Sequence, residues 1–138
     1  MNQRDLFLKE FRGETIGTIT IQTSSEELFQ NEVLRPILKL QNDLFVMSLS
    51  NYIVKNKIDF YSKTVEKKLS IIENAIQKDI KFRNALKGMV IGLFTIDEYS
   101  LYIKNSSNLN KRMMLMLIER LKNQVQLFEN EAILNKII

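Results

Sequence analysis

The sequence predicts an all-α protein, a helical bundle of about four to six helices with two of them long, preceded by a short extended arm. Three observations carry that expectation. Helix breakers are scarce, with one proline and four glycines in 138 residues. Apolar residues recur at the 3.6-residue period over most of the chain. The periodic runs also begin at side chains that cap helices: Ser24, Asp79 and Thr95.

Taken in order, Leu6, Phe7, Leu8 and Phe11 suggest a short helix that closes near Gly13. Residues 12–23 read as the extended arm. Its threonines, isoleucines and two glycines suit an extended chain, and a lone strand needs a surface or a second copy to lie on. Ser24-Ser25-Glu26-Glu27 forms a capping-box pattern, in which a hydroxyl and a carboxylate satisfy each other's backbone donors. The stripe Leu28, Phe29, Val33, Leu34, Ile37, Leu38, Phe45, Leu49, Tyr52 and Ile53 follows. Pro36 lies within it, where a missing N–H demands a kink or a fresh helix start. That helix should close at Lys55-Asn56-Lys57, where cations suit the C-terminal dipole.

A helix from Lys63 to Lys78, capped by Ser62 or Thr64, is expected to turn Val65, Leu69, Ile72 and Ile76 inward. Asp79 then caps a helix carrying Phe82, Leu86, Met89, Val90 and Leu93. Gly88 and Gly92 share a face of it, and close packing against a neighbour is the expected reason. Thr95-Ile96-Asp97-Glu98 is a second capping box, opening a helix with Tyr99, Tyr102 and Ile103. Asn105-Ser106-Ser107-Asn108 turns the chain into the last helix, with Leu109, Met113, Met116, Leu117, Leu121, Val125 and Phe128 in register. Continued to the end of the chain, that helix would be about 45 Å long. Residues 129–138 form an apolar tail, with Ile133, Leu134, Ile137 and Ile138 in need of cover. No linker or repeat divides the chain, so residues 1–138 read as one domain of ordinary size.

Composition bounds the chemistry. The chain has no cysteine and no histidine, which removes thiolate and imidazole ligands, Ser–His pairs and thiol nucleophiles. The Glu-x-x-His pair of di-iron bundles cannot be built. No Gly-rich phosphate loop is present, and no metal or cofactor is expected. The longest apolar runs, Met89 to Phe94 and Met113 to Ile118, fall far short of the roughly 20 residues of a membrane span. With an N-terminus that lacks a signal-peptide pattern, the expected location is the cytoplasm. The net charge of +4 is spread among interleaved acids and bases, which predicts only weak, salt-dependent binding to nucleic acid. Asp97 and Glu98 at the start of the Thr95-capped helix give it the wrong sign for a recognition helix.

Polar residues that interrupt the apolar stripes are the candidate site. Gln41 sits on the ridge of Leu34, Leu38 and Phe45, and Arg120 follows Met113 and Met116. Arg112 and Glu119 share a face, Arg83 and Lys87 share a ridge with Val90, and Arg35 precedes Pro36. Either they pair into buried networks or they lie at stripe edges with their heads in water.

The segments Asn31 to Leu44, Gln77 to Asn84 and Asn105 to Met113 resemble those of a small bacterial family of single-domain proteins without an assigned activity. Some of its members carry an automatic glyoxalase label. The resemblance covers the chain from about Arg12 to Phe128 and implies no mechanism. Glyoxalase enzymes hold their metal through histidine, and the type I enzymes do so in a βαβββ fold; this chain has no histidine and almost no strand pattern. The first expectation is therefore a non-enzymatic interaction protein, a homodimer that also meets a protein partner. A nucleic-acid-binding or regulatory protein ranks second. An enzyme built on Arg, Lys, Tyr and carboxylates ranks third, and a cleft gathering Arg83, Arg112 and Glu119 would favour it.

Overall fold

The computed structural model describes residues 2–13 and 24–128. Among them every regular element is helical. The chain divides into two compact units, Met1–Gln41 with Lys87–Met113, and Asn42–Leu86 with Met114–Ile138. The expected arm, beyond Arg12 and Gly13, and the apolar tail lie outside the described residues.

The first unit opens with α1, Gln3–Arg12. Asn2 caps it by accepting from the Asp5 N–H at 2.8 Å, and Gly13 ends it at φ 81°, a conformation that costs glycine nothing. Arg12 is thus the last helical residue and not part of the arm. Helix α2, Ser25–Phe29, is capped by the Ser24 hydroxyl on the Glu27 N–H. Only the hydroxyl half of the expected box is formed, since no bond returns from Glu27, the third helical residue, to the Ser24 N–H among the described residues; Glu26 turns to Asn105 and Arg112.

Pro36 acts through the turn before it. Residues Gln30–Leu34 form a π-helical turn, and the Arg35 N–H reaches back five residues to the Gln30 carbonyl. The widened turn lets α3, Arg35–Leu40, begin with Pro36 in its first turn, where a missing N–H costs little. Helix α7, Ile96–Ile103, shows the full capping box of Thr95 and Glu98. Phe29 meets Phe94 edge-on at 5.4 Å, and Phe94 meets Tyr102 at 5.5 Å. Val33, Leu34, Ile37, Leu38, Val90 and Leu109 are buried with them.

The second unit begins with α4, Asn42–Lys55. Its end is a Schellman closure: the Ile58 N–H donates to the Ile53 carbonyl and the Lys57 N–H to that of Val54. The closure places Lys57 at φ 52°, the left-handed region glycine usually takes. Helix α5, Val65–Lys78, takes Thr64 as its cap. It buries Ile72, Ala75 and Ile76 but leaves Val65 57% exposed. Lys68 is buried in Val65's stead, its ammonium 5.6 Å from the Phe60 ring centre, because a long stem can cover apolar surface while its head reaches outward.

Helix α6, Ile80–Ile91, takes its cap from Asp79, whose carboxylate accepts from the Phe82 N–H at 3.1 Å. Among the described residues the expected close packing at its glycines is absent. A Cβ on Gly88 would meet nothing within 4 Å, and one on Gly92 would meet only the Gly88 carbonyl, at 3.1 Å. Gly92 lies just past the helix, where its carbonyl receives Arg4 at 2.9 Å. Helix α8, Ser106–Asn123, stops short of the expected length and passes into a 3₁₀ turn, Val125–Phe128. Leu117, Ile118 and Leu121 are buried on it, and Lys122 pairs with Glu73 at 3.1 Å.

Candidate functional site

The first unit carries a groove of about 430 Å³. Phe29 and Val33, from α2 and the π-helical turn, form its floor with Leu109 of α8, while Leu28 and Leu101 form its apolar sides. The three floor residues are buried, whereas Leu101 is 56% exposed and rises as a lip. The capped start of α7 supplies Thr95, Asp97 and Glu98 to one side.

Two ion pairs brace this groove. Arg12 grips Glu98 with both ends of its guanidinium, at 2.5 and 2.6 Å, and also donates to the Leu93 carbonyl at 2.9 Å. Both side chains are buried, 5% and 10% exposed, so the pair works in a low dielectric with matched fork geometry. Burial pushes the Glu98 carboxyl up, but the Arg12 guanidinium and the Thr95 N–H outweigh it and hold the group below the usual glutamate range. Glu98 is therefore an ionised anchor, the wrong state for a proton donor near neutral pH. The Arg12 Nε–H is buried with no acceptor among the described residues. In the second pair, Arg112 approaches Glu26 at 3.4 Å and donates to Gln30 at 2.8 Å, while Asn105 also donates to Glu26, at 3.0 Å. Lys9, Glu32, Asp97 and Lys104 complete the rim with no ion pair to any described residue.

The other candidates scatter. Gln41 donates to the Met89 carbonyl at 3.1 Å. Arg35 reaches one turn back to Asn31 at 3.0 Å and is exposed. Arg83 and Lys87 are half-buried at the helix flank and Glu119 is exposed, the stripe-edge arrangement. Arg120 joins a polar cluster of the second unit, where Asn42 and Gln124 exchange amide hydrogen bonds at 2.8 and 2.7 Å and Arg120 donates to Asn42 at 3.4 Å. Of the residues named in advance, Arg112 alone belongs to the groove's frame. Its partner is Glu26, not Glu119.

Sequence reading missed Arg12, Glu98 as an ion-pair partner, and Tyr52. In the second unit the Tyr52 hydroxyl donates to Asp79 at 3.0 Å, and its ring stacks on Phe82 at 4.3 Å. The Phe82 N–H and then the Tyr52 hydroxyl hold Asp79 below the usual carboxylate range. Burial and then the bond to Asp79 push the Tyr52 phenol up. A shallow hollow of about 380 Å³ lies over this pair, lined also by Ile58, Ile71 and Lys78. Among the described residues no helix is long and apolar enough to cross a membrane. Comparison with protein-family models, curated proteins and solved structures finds no match to this chain.

Proposed function

We propose that the protein acts by binding, and that the groove of the first unit receives an apolar segment of a protein partner. The carrying observation is the exposed lip at Leu101 beside a buried floor of Phe29, Val33 and Leu109. An apolar slot with one raised aliphatic edge can seat a large side chain and cover that edge as it does so. The groove's deeper charges, Glu26 and Glu98, are engaged in its frame and support shape more readily than chemistry. The rim charges of both signs, Lys9, Glu32, Asp97 and Lys104, would orient the incoming segment more than hold it.

Photo-crosslinking tests this reading. A benzophenone side chain at Leu101 should give discrete protein adducts in native lysate, and one at Leu115, 62% exposed on α8, should not. Equal labelling at both positions would overturn the proposal. So would a small molecule carried through purification in the groove and released on denaturation.

A further inference from the structure

The rim charges of the groove are ordered, and the order follows from how its two walls run. Asn105, just past the end of α7, donates to Glu26 in the first turn of α2 at 3.0 Å. Phe94, just before α7 begins, meets Phe29, the last residue of α2, at 5.4 Å. The two helices therefore line the groove in opposite directions. Glu32 follows Phe29 by three residues and so falls at the end where α7 starts, the end of Asp97. Lys104 follows the last residue of α7 and marks the other end. Leu101 lies four residues after Asp97 and three before Lys104. All three thus share one flank of the helix, with the two charges about 10 Å apart and the apolar lip between them.

Each end keeps one charge in excess. Lys9 reaches the acidic end, because Asp5 and Arg12 on either side of it in α1 bind the Ile96 N–H and Glu98, and it offsets one of the two carboxylates there. At the other end Arg112 meets Glu26 at 3.4 Å, which leaves Lys104. Lys9, Glu32, Asp97 and Lys104 are all exposed. The helix dipole explains the signs of Asp97 and Lys104 at their ends of α7. It does not explain why both stand on the flank of Leu101, nor the carboxylate of Glu32 on the other wall.

We propose that the groove selects an apolar segment whose anchor side chain has a base to one side and an acid to the other, the base lying at Asp97 and Glu32 and the acid at Lys104. This rests on the reading that the groove receives an apolar segment of a partner, and adds what that segment must carry. A segment of one sign meets one matched end and one repelling end. Lys9 and Lys104 balance Glu32 and Asp97, so a polyanion such as nucleic acid finds no net attraction at this rim. Exposed pairs are weak, so these charges choose among apolar segments while the anchor holds. The separation of about 10 Å corresponds to two turns of helix or three residues of extended chain in the occupant.

Selection from a displayed library of random peptides, with the full chain as bait, tests this. Peptides are kept when Leu101→Asp, a change at an exposed position, releases them. The kept peptides should carry a large apolar residue with a base and an acid on opposite sides. In a synthetic copy of one of them, exchanging the base and the acid should weaken binding about three- to tenfold in fluorescence anisotropy. The variant carrying Asp97→Lys and Lys104→Glu should prefer the exchanged peptide. Glu32→Lys leaves α7 untouched, so it serves even where that double variant fails to fold, and it should weaken the original peptide about two- to fivefold. Kept peptides with an anchor but no charge order would overturn this inference and leave the partner-binding reading standing. So would equal binding of the original and exchanged peptides. A library that yields no peptide released by Leu101→Asp would overturn both.

Discussion

Lys57 and Arg12 show how single residues carry this structure. Lys57 holds φ 52° to complete the end of α4, and a side chain in that region costs roughly 1–2 kcal/mol that glycine avoids. Lys57→Gly should therefore raise stability by about 1 kcal/mol, less whatever the lysine charge contributes at the helix C-terminus. Chemical denaturation at fixed pH would show it as a higher midpoint with unchanged slope; no gain would mean that the strain is absent. Arg12 sits at the other extreme. Removing it leaves the buried Glu98 carboxylate without its cation, and breaking such a pair costs about 3–5 kcal/mol. Arg12→Met should destabilise the protein by that order, and adding Glu98→Gln should return part of the loss. The same pair sets a pH dependence. Glu98 titrates below its ordinary value of 4.5, so its stabilisation is complete above that value and is lost as pH falls through the lowered one. Thermal melts between about pH 6 and 3 should fall more steeply for the wild type than for the Arg12→Met, Glu98→Gln double variant. Parallel curves would remove Glu98 from the account.

At the scale of the helix, α6 separates two glycines that look alike in sequence. Gly88 lies within the helix with open space where a Cβ would be. Gly88→Ala should therefore stabilise by about 0.5–1 kcal/mol through lower chain entropy in the unfolded state. Gly92→Ala should bring no such gain, since its Cβ would press on the Gly88 carbonyl at 3.1 Å. Melting of the two variants side by side decides it, and a loss at Gly88 would mean that the position is packed after all. The contrast also shows which information was local. The caps at Ser24, Asp79 and Thr95 were legible, and that of α5 was narrowed to Ser62 or Thr64, because a cap and its target lie within one turn. The detour before Pro36 was legible as a break, though not as a π-helical turn. Helix α1 was legible as a helix but not in its orientation. A 3.6-residue period marks a stripe without saying which stripe faces inward, and here Asp5, Leu8 and Arg12 won over Phe7 and Phe11. The frame of the groove was out of reach for the same reason. Arg12 and Glu98 lie 86 residues apart, as sequence neighbours of nothing that signals their pairing, and Arg112 was visible as a stripe interruption while Glu26 read as a helix cap.

The whole chain is not assembled from consecutive halves. Each unit takes one stretch from before and one from after the other's central segment, Met1–Gln41 with Lys87–Met113 and Asn42–Leu86 with Met114–Ile138. In the second unit the later stretch supplies Leu117, Ile118 and Leu121 to the buried set. It also brings Lys122 to Glu73 at 3.1 Å and Gln124 to Asn42 at 2.7 Å. The central segment 42–86 on its own keeps α4 and α5, each of 14 residues, a length at which isolated helices are marginal in water. It would leave Phe45, Leu49, Ile72 and Ile76, now buried, without the later stretch to help enclose them. Expressed alone, residues 42–86 should give a weak, non-cooperative helical signal in far-UV circular dichroism. Supplying residues 106–128 as a separate peptide should raise the signal in a concentration-dependent way, because the missing contacts then come from a second molecule. A cooperative melt from 42–86 alone would show that the central segment folds as a self-sufficient hairpin, and that the later stretch of α8 docks on a finished surface instead of completing it.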